Sequence, residues 1–400
     1  MLIKVKIIFI THAGGLNEKN ISTFADVAEK VIILCFQKHL EKQKKRVSLI
    51  SEEQKKRVSL IPVRNIPHCL ITALRYCKKE DAVGGQDPIS GFIAAVAAKL
   101  KGKRSFMMYC QDFLEYFYVA NPPFFRRVIY GKLLEAILFL TCRYSVVFPL
   151  SRYTELSAKR RGGRAVFAVP TYGVNTQRFK PAKKPADLIK KYSLAEQKVL
   201  LCTSRMSPEK GVPYVVSAFV QLLQKYPDIR LVLAGYGMNM QALSSKVQDL
   251  HLEKEIIFTG FIDFQEMHRY YQLCDIFIMP SLKEGLGFAA LEALACEKPV
   301  VASRVGGIVD GVPEDIGFLV PPANADAIIK AVTFIFEKGD KLRERLKKGR
   351  AHVIKNFEEK QAFEKLKYHL EKDVLQKQPS ADLTSENDFG LSKVSGLNER

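Results

Sequence analysis

The second half of the sequence alternates short β-branched or apolar runs with segments of helical length and spacing. This alternation predicts repeated strand–helix units, because parallel strands need crossover connections that cover both faces of a sheet. The predicted strands lie at 199–203, 230–234, 255–259, 275–279 and 299–302. The predicted helices lie at 213–225, 241–250, 265–273 and 287–296. This half therefore predicts a doubly wound α/β domain.

The first half carries a weaker version of the same pattern. Candidate strands that end at turns lie at 4–10, 82–84, 105–109, 145–148 and 166–169. A chain of 400 residues is also too long for one ordinary core. We therefore predict an α/β protein with two Rossmann-like, doubly wound parallel-sheet domains that face a central cleft.

The boundary between the domains is predicted from composition. Residues 180–185 are too rich in Pro and Lys for a core element and are interpreted as the hinge. The N-terminal domain then covers 1–179 and the C-terminal domain 180–352. We expect a C-terminal helix over 353–373 to cross back to the N-terminal domain, and the polar residues 374–400 to be disordered.

The heptapeptide KKRVSLI occurs at 44–50 and again at 55–61. A single repeat does not indicate a solenoid. Only one copy is needed as the second strand of the first sheet. The other copy is then an inserted loop or a helix extension, and the sequence leaves open which copy has which role.

Eight scattered cysteines contain no C-x-x-C pair, which is typical of reduced thiols in a cytosolic protein rather than of a disulfide framework or a zinc site. The apolar stretch 133–150 is interrupted by Glu135, Arg143 and Pro149, so it predicts a helix followed by a strand and not a membrane span. The first ten residues suit a buried strand better than a signal peptide. We expect a cytoplasmic protein.

The formal charge of +20 favours an anionic partner, such as anionic lipid, nucleic acid or a phosphorylated substrate, although a solvated basic face would also account for it. Phe124 and Phe125 follow Asn-Pro-Pro and directly precede Arg126 and Arg127. Aromatic side chains beside arginines suit a lipid headgroup layer. A peripheral contact with the cytoplasmic face of an anionic membrane is therefore a hypothesis.

The most informative motif runs from Glu284 to Glu292, with a Gly-x-Gly directly after the first glutamate. The glycines let backbone N–H groups approach an anion where a helix begins. Upstream, Arg205 and Lys210 lie in the loop that follows the first strand of this half. Because ligands of such sheets bind at the carboxyl ends of the strands, both cations are placed to neutralise a diphosphate leaving group without a metal.

These motifs, with Lys298–Ala302, Gly306-Gly307 and Gly14-Gly15, resemble the GT-B glycosyltransferases of family 4. Members of that family are retaining enzymes with nucleotide-sugar donors. The resemblance implies that Glu284, Arg205 and Lys210 form the catalytic set. It implies donor contacts from Gly15, Arg205, Lys210, Phe261, Ile262, Glu284, Leu286, Gly287, Phe288, Ala289 and Glu292.

Within that set, the resemblance implies that Glu284 binds the transferred sugar and Glu292 the ribose hydroxyls. Phe261 and Ile262 would border the nucleobase, and Gly15 would approach the donor phosphate from the opposite lobe. On the acceptor side, where many relatives have a His, this chain has Gln111 followed by Asp112, which we take as acceptor-side candidates.

Retention without an enzymatic nucleophile suggests front-face attack, in which the departing phosphate takes the proton of the acceptor hydroxyl. The sequence contains no D-x-D, so we expect neither an essential metal nor a cofactor. The expected partners are a nucleotide-diphosphate sugar and a glycan or lipid-linked acceptor.

Two other classes of function are compatible with parts of this sequence. A nucleotide-sugar epimerase or a glycan phosphorylase would share the fold, although no pyridoxal-binding lysine is identifiable. A non-catalytic, basic nucleic-acid-binding protein would explain the charge, but neither a helix-turn-helix nor an RNA-binding sheet signature is present. Leu233–Gly237 begins like a dinucleotide fingerprint, but its third glycine position is Met240.

Overall fold

The computed structural model describes residues 6–11, 17–77, 81–119, 123–167, 169 and 172–376. Within them the first half of the chain contains strands β1–β7 and helices α1–α8. The strands are β1 Lys6–Thr11, β2 Lys30–Phe36, β3 Val58–Val63, β4 Ala82–Gly85, β5 Arg104–Tyr109, β6 Ser145–Pro149 and β7 Ala165–Val166. The helices are α1 Glu18–Val27, α2 Leu40–Val47, α3 Glu52–Arg57, α4 Ile66–Tyr76, α5 Pro88–Leu100, α6 Phe113–Val119, α7 Phe124–Tyr144 and α8 Arg152–Arg160.

The described strands of this half form one parallel sheet in the order β3-β2-β1-β4-β5-β6-β7. Its central strands are buried on both faces, which explains their continuous apolar runs, such as Ile7–Ile10 and Val31–Phe36. Phe9, Phe24, Phe106 and Phe148 pack against one another on one face. The predicted strand 166–169 begins as β7 and continues the ladder, since Val169 N donates to the Pro149 carbonyl.

The structure corrects the expected role of the repeat. The second strand is β2, an apolar run that lies ahead of both copies, and the prediction missed it. The first KKRVSLI copy ends α2 and forms a turn. The second copy is split between α3 and β3, and its VSLI residues pair with β2. Identical residues adopt different structures because only the second copy has a free sheet edge beside it.

The second half contains strands β8–β13 and helices α9–α17 in the described residues. The strands are β8 Lys198–Thr203, β9 Ile229–Ala234, β10 Ile256–Gly260, β11 Ile276–Met279, β12 Val300–Ser303 and β13 Phe318–Val320. The helices are α9 Ala186–Tyr192, α10 Val212–Lys225, α11 Met240–Asp249, α12 Phe264–Leu273, α13 Phe288–Ala295, α14 Ile308–Gly311, α15 Ala325–Lys338, α16 Arg343–Phe357 and α17 Glu359–His369.

These strands form a second parallel sheet in the order β10-β9-β8-β11-β12-β13, with helices on both faces. The predicted strands and helices of this half are found within one or two residues of their expected ends. The edge strand β13 was not predicted, because three residues are too short to show a periodic pattern. The predicted fold of two Rossmann-like domains is confirmed.

The chain crosses between the domains twice, and the two crossings pair with each other. Val174 N donates to the Phe357 carbonyl at 2.8 Å, and Glu359 N donates to the Val174 carbonyl at 3.0 Å. Phe179 packs against Phe264 and Tyr271 of the second domain. The change of domain thus lies ahead of the segment 180–185 that was predicted as the hinge.

The helix predicted over 353–373 is divided into α16 and α17, which meet at Glu358. After the break, α17 packs on α1 of the first domain, and Leu366 and Leu370 are fully buried in that domain's core. Residues 377–400, most of the predicted tail, lie outside the described residues. Stretch 133–150 is a helix and a strand as predicted, and no described helix has the length and apolar content of a bilayer span.

Candidate active site

The candidate site lies at the carboxyl edge of the second sheet, between β8 and β11. These neighbouring strands are not consecutive in the chain, so the order of the sheet reverses there. In doubly wound sheets, ligands bind in the crevice outside such a switch point. The loop after β8 carries Arg205 and Lys210, and the loop after β11 carries Glu284. The loops touch at Gly211, where a Cβ would lie 2.1 Å from the Pro280 carbonyl oxygen.

An ion pair joins these two loops. Lys210 Nζ lies 2.6 Å from Glu284 Oε2, and the two side chains are only 12% and 14% exposed. The Ser281 hydroxyl donates to the same carboxylate oxygen at 3.4 Å. Low exposure strengthens the attraction between the charges and fixes both side chains. Two residues predicted for the site are therefore in direct contact.

Arg205 lies at the same strand end but is much freer. Its side chain is 66% exposed, and its guanidinium lies 3.2 Å from Glu209. The Ser207 hydroxyl also donates to Glu209, at 2.7 Å, which holds that carboxylate in the loop. An exposed pair of this kind contributes little stability. The Arg205 guanidinium can therefore exchange Glu209 for an anionic ligand at low cost.

The glycines after Glu284 allow close backbone packing at the start of α13. Gly287 has φ +87° and precedes the first residue of the helix, Phe288. Cβ atoms on Gly306 and Gly307 would lie 2.1 and 1.9 Å from the carbonyl oxygens of Glu284 and Gly285. The first N–H groups of a helix have no intrahelical acceptor. The backbone at 286–289 therefore presents N–H groups and the positive end of the helix dipole to the site.

Glu292 lies one turn into α13 and is held by a tyrosine of α12. The Tyr271 hydroxyl donates to Glu292 Oε2 at 2.7 Å, and it lies 3.2 Å from Thr203 Oγ1 at the end of β8. Burial raises the pKa of Glu292 to about 7, against the opposing effect of the Tyr271 hydrogen bond. Glu292 is thus poised to ionise near neutral pH.

The predicted base-binding residues are placed differently from each other. Phe261 is 71% exposed, and its ring meets the Tyr236 ring edge-on at 6.0 Å between centroids. The Ile262 side chain, by contrast, is buried in the core of the second domain. Phe261 and Tyr236 can border a flat ligand with their rings, whereas Ile262 could do so only with its backbone.

The first domain reaches the same loops from across the cleft. The Tyr116 hydroxyl donates to the Lys283 carbonyl at 3.1 Å, and Glu115 Oε2 lies 3.0 Å from Lys283 Nζ. The Ser151 hydroxyl donates to the Gly285 carbonyl at 2.7 Å. Burial and the nearby Glu284 carboxylate raise the pKa of Tyr116 above its usual value, so its phenol stays protonated as a donor.

Of the two acceptor-side candidates, only Gln111 is positioned beside the site. A Cβ on Gly285 would lie 3.5 Å from the Gln111 Cα, so this backbone lines the contact between the domains. Asp112 is 3% exposed, accepts from Ser157 at 2.5 Å and lies 3.0 Å from the Arg161 guanidinium. Its carboxylate is occupied by this buried ion pair and does not support an acceptor contact. Gly15 lies outside the described residues.

Comparisons with known proteins identify relatives of this chain. Residues 184–352 match the family described as glycosyl transferases group 1. A GDP-mannose-dependent alpha-(1-6)-phosphatidylinositol monomannoside mannosyltransferase of Mycolicibacterium smegmatis is 34% identical over 197 residues, which cover 47% of this chain and 52% of that protein. A crystal structure of Anabaena HepE in complex with UDP and glucose covers 91% of this chain and 99% of its own, at 19% identity and a TM-score of 0.74.

Residues 184–352 belong to the glycosyl transferases group 1, and the whole chain shares its fold with the HepE structure. The second domain, which carries most of the motifs, thus matches the family that they predicted. An alpha-monoglucosyldiacylglycerol synthase of Streptococcus pneumoniae is also similar, with 39% identity over 106 residues, which cover 26% of this chain and 24% of that protein. The chain spans about half the length of the mannosyltransferases it matches, 52% in one and 57% in another.

Several residues that contact the predicted site residues were missed in the sequence analysis. Tyr271 holds Glu292, Tyr116 fixes the backbone beside Glu284, and Ser151 fixes Gly285. Tyr116 and Ser151 belong to the other domain, more than 100 positions away in the chain. No local spacing reveals such partners, because only the closed arrangement of the two domains brings them together.

Proposed function

We propose that this chain is a retaining, metal-independent glycosyltransferase that moves a hexose-type sugar from a nucleotide-diphosphate donor to a glycan or lipid-linked acceptor. The Lys210–Glu284 pair at the switch point carries this proposal. Lys210 supplies a cation for the leaving group, and the Glu284 carboxylate supplies a hydrogen-bond acceptor for the sugar. Both lie beside the start of α13, whose backbone N–H groups can bind phosphate.

The donor would lie across the two loops and the start of α13. Lys210 and Arg205 would bind the diphosphate, together with the N–H groups of Leu286 to Ala289. Glu284 would accept hydrogen bonds from the transferred sugar, and Glu292 from the ribose. Phe261 would lie against the base, and the low cost of releasing Arg205 from Glu209 supports its part in binding.

In the reaction, the bond between the anomeric carbon and the phosphate oxygen breaks while the acceptor hydroxyl attacks from the same face. The departing phosphate takes the hydroxyl proton, so the enzyme needs no nucleophile of its own. Negative charge that develops on the phosphate would be stabilised by Lys210, Arg205 and the amides of α13. These cations would thus stabilise the leaving group without a metal ion.

The names of relatives support a lipid-linked acceptor. One relative acts on a phosphatidylinositol monomannoside, and another is a diacylglycerol glycoside synthase. The nucleotides of these proteins differ, since the mannosyltransferase depends on GDP-mannose and the HepE structure contains UDP. Both nucleotides therefore belong in the test. The eight free thiols support a reducing, cytoplasmic location.

The test compares thermal stability with UDP, GDP or an oligonucleotide, followed by a screen of nucleotide-sugar hydrolysis. Stabilisation by a nucleoside diphosphate, and its loss in Lys210→Ala, is the expected result. Stabilisation by the oligonucleotide alone would replace this proposal with the nucleic-acid-binding alternative. An epimerase would convert the donor without any acceptor, and a phosphorylase would need inorganic phosphate.

A further inference from the structure

The start of helix α7 is exposed at the surface of the first domain. Every residue from 123 to 130 is exposed, on all sides of the helix. Phe124 is 82% exposed and Phe125 is 73% exposed. Burial of phenylalanine is ordinarily worth about 2 kcal/mol. Two adjacent rings that forgo this gain indicate an interaction surface, because none of the described residues buries them.

The apolar surface continues along the helix. Val128, Ile129, Tyr130 and Leu133 are between 40% and 53% exposed. Single exposed apolar side chains are normal in proteins, but a contiguous group of this size marks an interaction site. We call the residues 124–133 the α7 tip.

Positive charge is interleaved with these apolar side chains. Arg126, Arg127 and Lys132 lie on the α7 tip, its first turn has no acidic residue, and the first acid of the helix is Glu135. Tyr118, Phe124, Arg127, Val128 and Lys132 line a shallow groove of about 340 Å³. Within it the Arg127 guanidinium lies 5.4 Å from the centre of the Tyr118 ring. The groove therefore offers two cations above an apolar floor.

This combination fits one kind of partner. Protein interfaces are depleted of lysine, whereas Lys132 lines this groove. Here cations and large apolar side chains share about three helical turns, so the α7 tip can present both to a headgroup layer, where phosphates lie beside acyl chains. Apolar side chains can enter the acyl boundary while arginines bind phosphates above it. The overall charge of +20 adds long-range attraction to an anionic bilayer.

The α7 tip is also connected to the catalytic cleft. Helix α6 packs against α7, and a Cβ on Gly131 of α7 would lie 2.6 Å from the Tyr118 hydroxyl of α6. Two residues of the same short α6, Glu115 and Tyr116, contact Lys283 beside Glu284. A surface bound by the α7 tip would therefore lie one helix away from the reacting groups.

We propose that the α7 tip inserts into the headgroup layer of an anionic membrane, with Arg127 and Lys132 binding a lipid phosphate in the groove. This inference rests on the proposed function, because it brings the cleft to a lipid-linked acceptor. It specifies which surface of the enzyme docks and which lipids it selects.

The experiment measures co-sedimentation of the full chain with vesicles of phosphatidylcholine alone or mixed with phosphatidylglycerol. We expect strong binding only with phosphatidylglycerol. The variant Arg126→Gln/Arg127→Gln should bind roughly twenty-fivefold more weakly, about fivefold for each cation. The variant Phe124→Ser/Phe125→Ser should lose at least tenfold, since it removes the apolar insertion.

Matched controls on other surfaces separate this site from general charge and hydrophobicity. Lys246→Gln/Lys330→Gln makes the same change of net charge on the second domain. Leu100→Ser removes another exposed apolar side chain, 67% exposed on α5. Both controls should bind vesicles as the wild type does. Equal losses in the controls and in the α7 tip variants would overturn the proposal.

Two further results would also overturn it. One is equal binding to neutral and anionic vesicles. The other is a lipid-free dimer, seen by analytical ultracentrifugation, that dissociates in Phe124→Ser/Phe125→Ser, which would make the α7 tip a self-association surface. Vesicle binding requires no sugar donor, so it can succeed even if nucleotide binding fails. Donor hydrolysis by the α7 tip variants should stay at the wild-type rate.

Discussion

At the scale of single residues, the contact between Lys210 and Glu284 shows how the site is held without a donor. Each charge is shielded from water and has the other as its partner. In the proposed function, the donor diphosphate would compete with Glu284 for Lys210, and the sugar would form hydrogen bonds with the glutamate that is released. The donor would therefore exchange one set of ion pairs for another, at little net electrostatic cost.

The variant Glu284→Gln tests this arrangement. We expect the turnover number to fall by about 10²–10³, as for the loss of one transition-state contact. Binding of UDP or GDP, measured by calorimetry, should be retained, because Lys210 loses a competitor. Glu253→Gln, at an exposed position, serves as the control and should leave turnover unchanged. Near-normal turnover of Glu284→Gln would remove this residue from the site.

Glu292 gives a prediction about pH. Its pKa is raised from 4.5 to about 7 by burial, so the folded state holds the proton more tightly than the unfolded state does. A raised carboxyl pKa lowers stability as pH rises between these two values. The free energy of unfolding of the wild type, relative to Glu292→Gln, should therefore fall by up to about 3 kcal/mol from pH 4.5 to above 7. Urea titrations followed by circular dichroism can measure this difference.

Ribose binding should depend on the same ionisation of Glu292. An ionised carboxylate is the better acceptor for two ribose hydroxyls, so nucleotide affinity should rise as pH increases through about 7. The rise should be absent in Glu292→Gln. A parallel pH profile in both proteins would rule out Glu292 as the group responsible.

Residue identities were predictable where the signal was local. Arg205, Lys210, Glu284 and Glu292 stand at strand ends or in a glycine-marked helix start, and the sequence shows both features. Asp112 shows the limit, because its partners Ser157 and Arg161 lie 45 and 49 positions away. Nothing near Asp112 in the chain distinguishes a buried ion pair from a substrate contact.

At the scale of elements, the glycine loop before α13 shows how closely the two domains approach. A Cβ on Gly285 would lie 2.0 Å from the Cys110 carbonyl oxygen of the first domain. The positions of the added Cβ and of the Cys110 carbonyl oxygen are both fixed by the backbone, so no side-chain rotation can relieve the contact. The absence of a side chain at this position allows the domains to meet.

The variant Gly285→Ala should therefore lower the free energy of unfolding by about 1–3 kcal/mol and reduce transfer activity, because the loop or the domains must move apart. The control Gly102→Ala also replaces a glycine, at φ +63°, but nothing lies within 4 Å of its added Cβ. It should cost only the backbone strain of about 1 kcal/mol and leave activity intact. Full transfer activity in Gly285→Ala would contradict this interpretation.

The predicted bounds of the helices and strands agree with the structure more closely in the second domain than in the first. Each predicted strand of the second sheet is followed by a regular helix, so the periodic pattern changes sharply at every boundary. In the first domain, β2 contains a six-residue apolar run that precedes two basic helical segments. The repeat drew attention to those segments, although the apolar run 31–36 carried the stronger strand signal.

At the scale of the whole molecule, the end of the described chain completes the core of its beginning. Leu366 and Leu370 of the returning segment are buried with Phe24 and Phe148 of the first domain. His369 stacks on Phe167 at 5.0 Å, and the Arg104 side chain donates to the Asp373 carbonyl at 2.6 Å. Helix α17 and the turn after it, which we call the return helix, therefore pack as part of the first domain, although they follow the second domain in sequence.

The variant Leu370→Ala should cost about 2–5 kcal/mol of unfolding free energy, because it leaves a cavity in that core. Leu250→Ala, at a 39% exposed position of the second domain, is the matched control and should change stability by less than about 0.5 kcal/mol. The chain has no tryptophan, so far-UV circular dichroism in urea is the appropriate measurement. A loss equal to that of the control would show that the return helix is not required.

This return also fixes an order of events during synthesis. The first domain leaves the ribosome early, yet it lacks residues 366–374 until the entire second domain has been made. The second sheet has all of its strands by residue 320. The second domain can therefore complete its sheet while the first domain still has an incomplete core, whose exposed apolar surface is open to aggregation until residues 366–374 have been made.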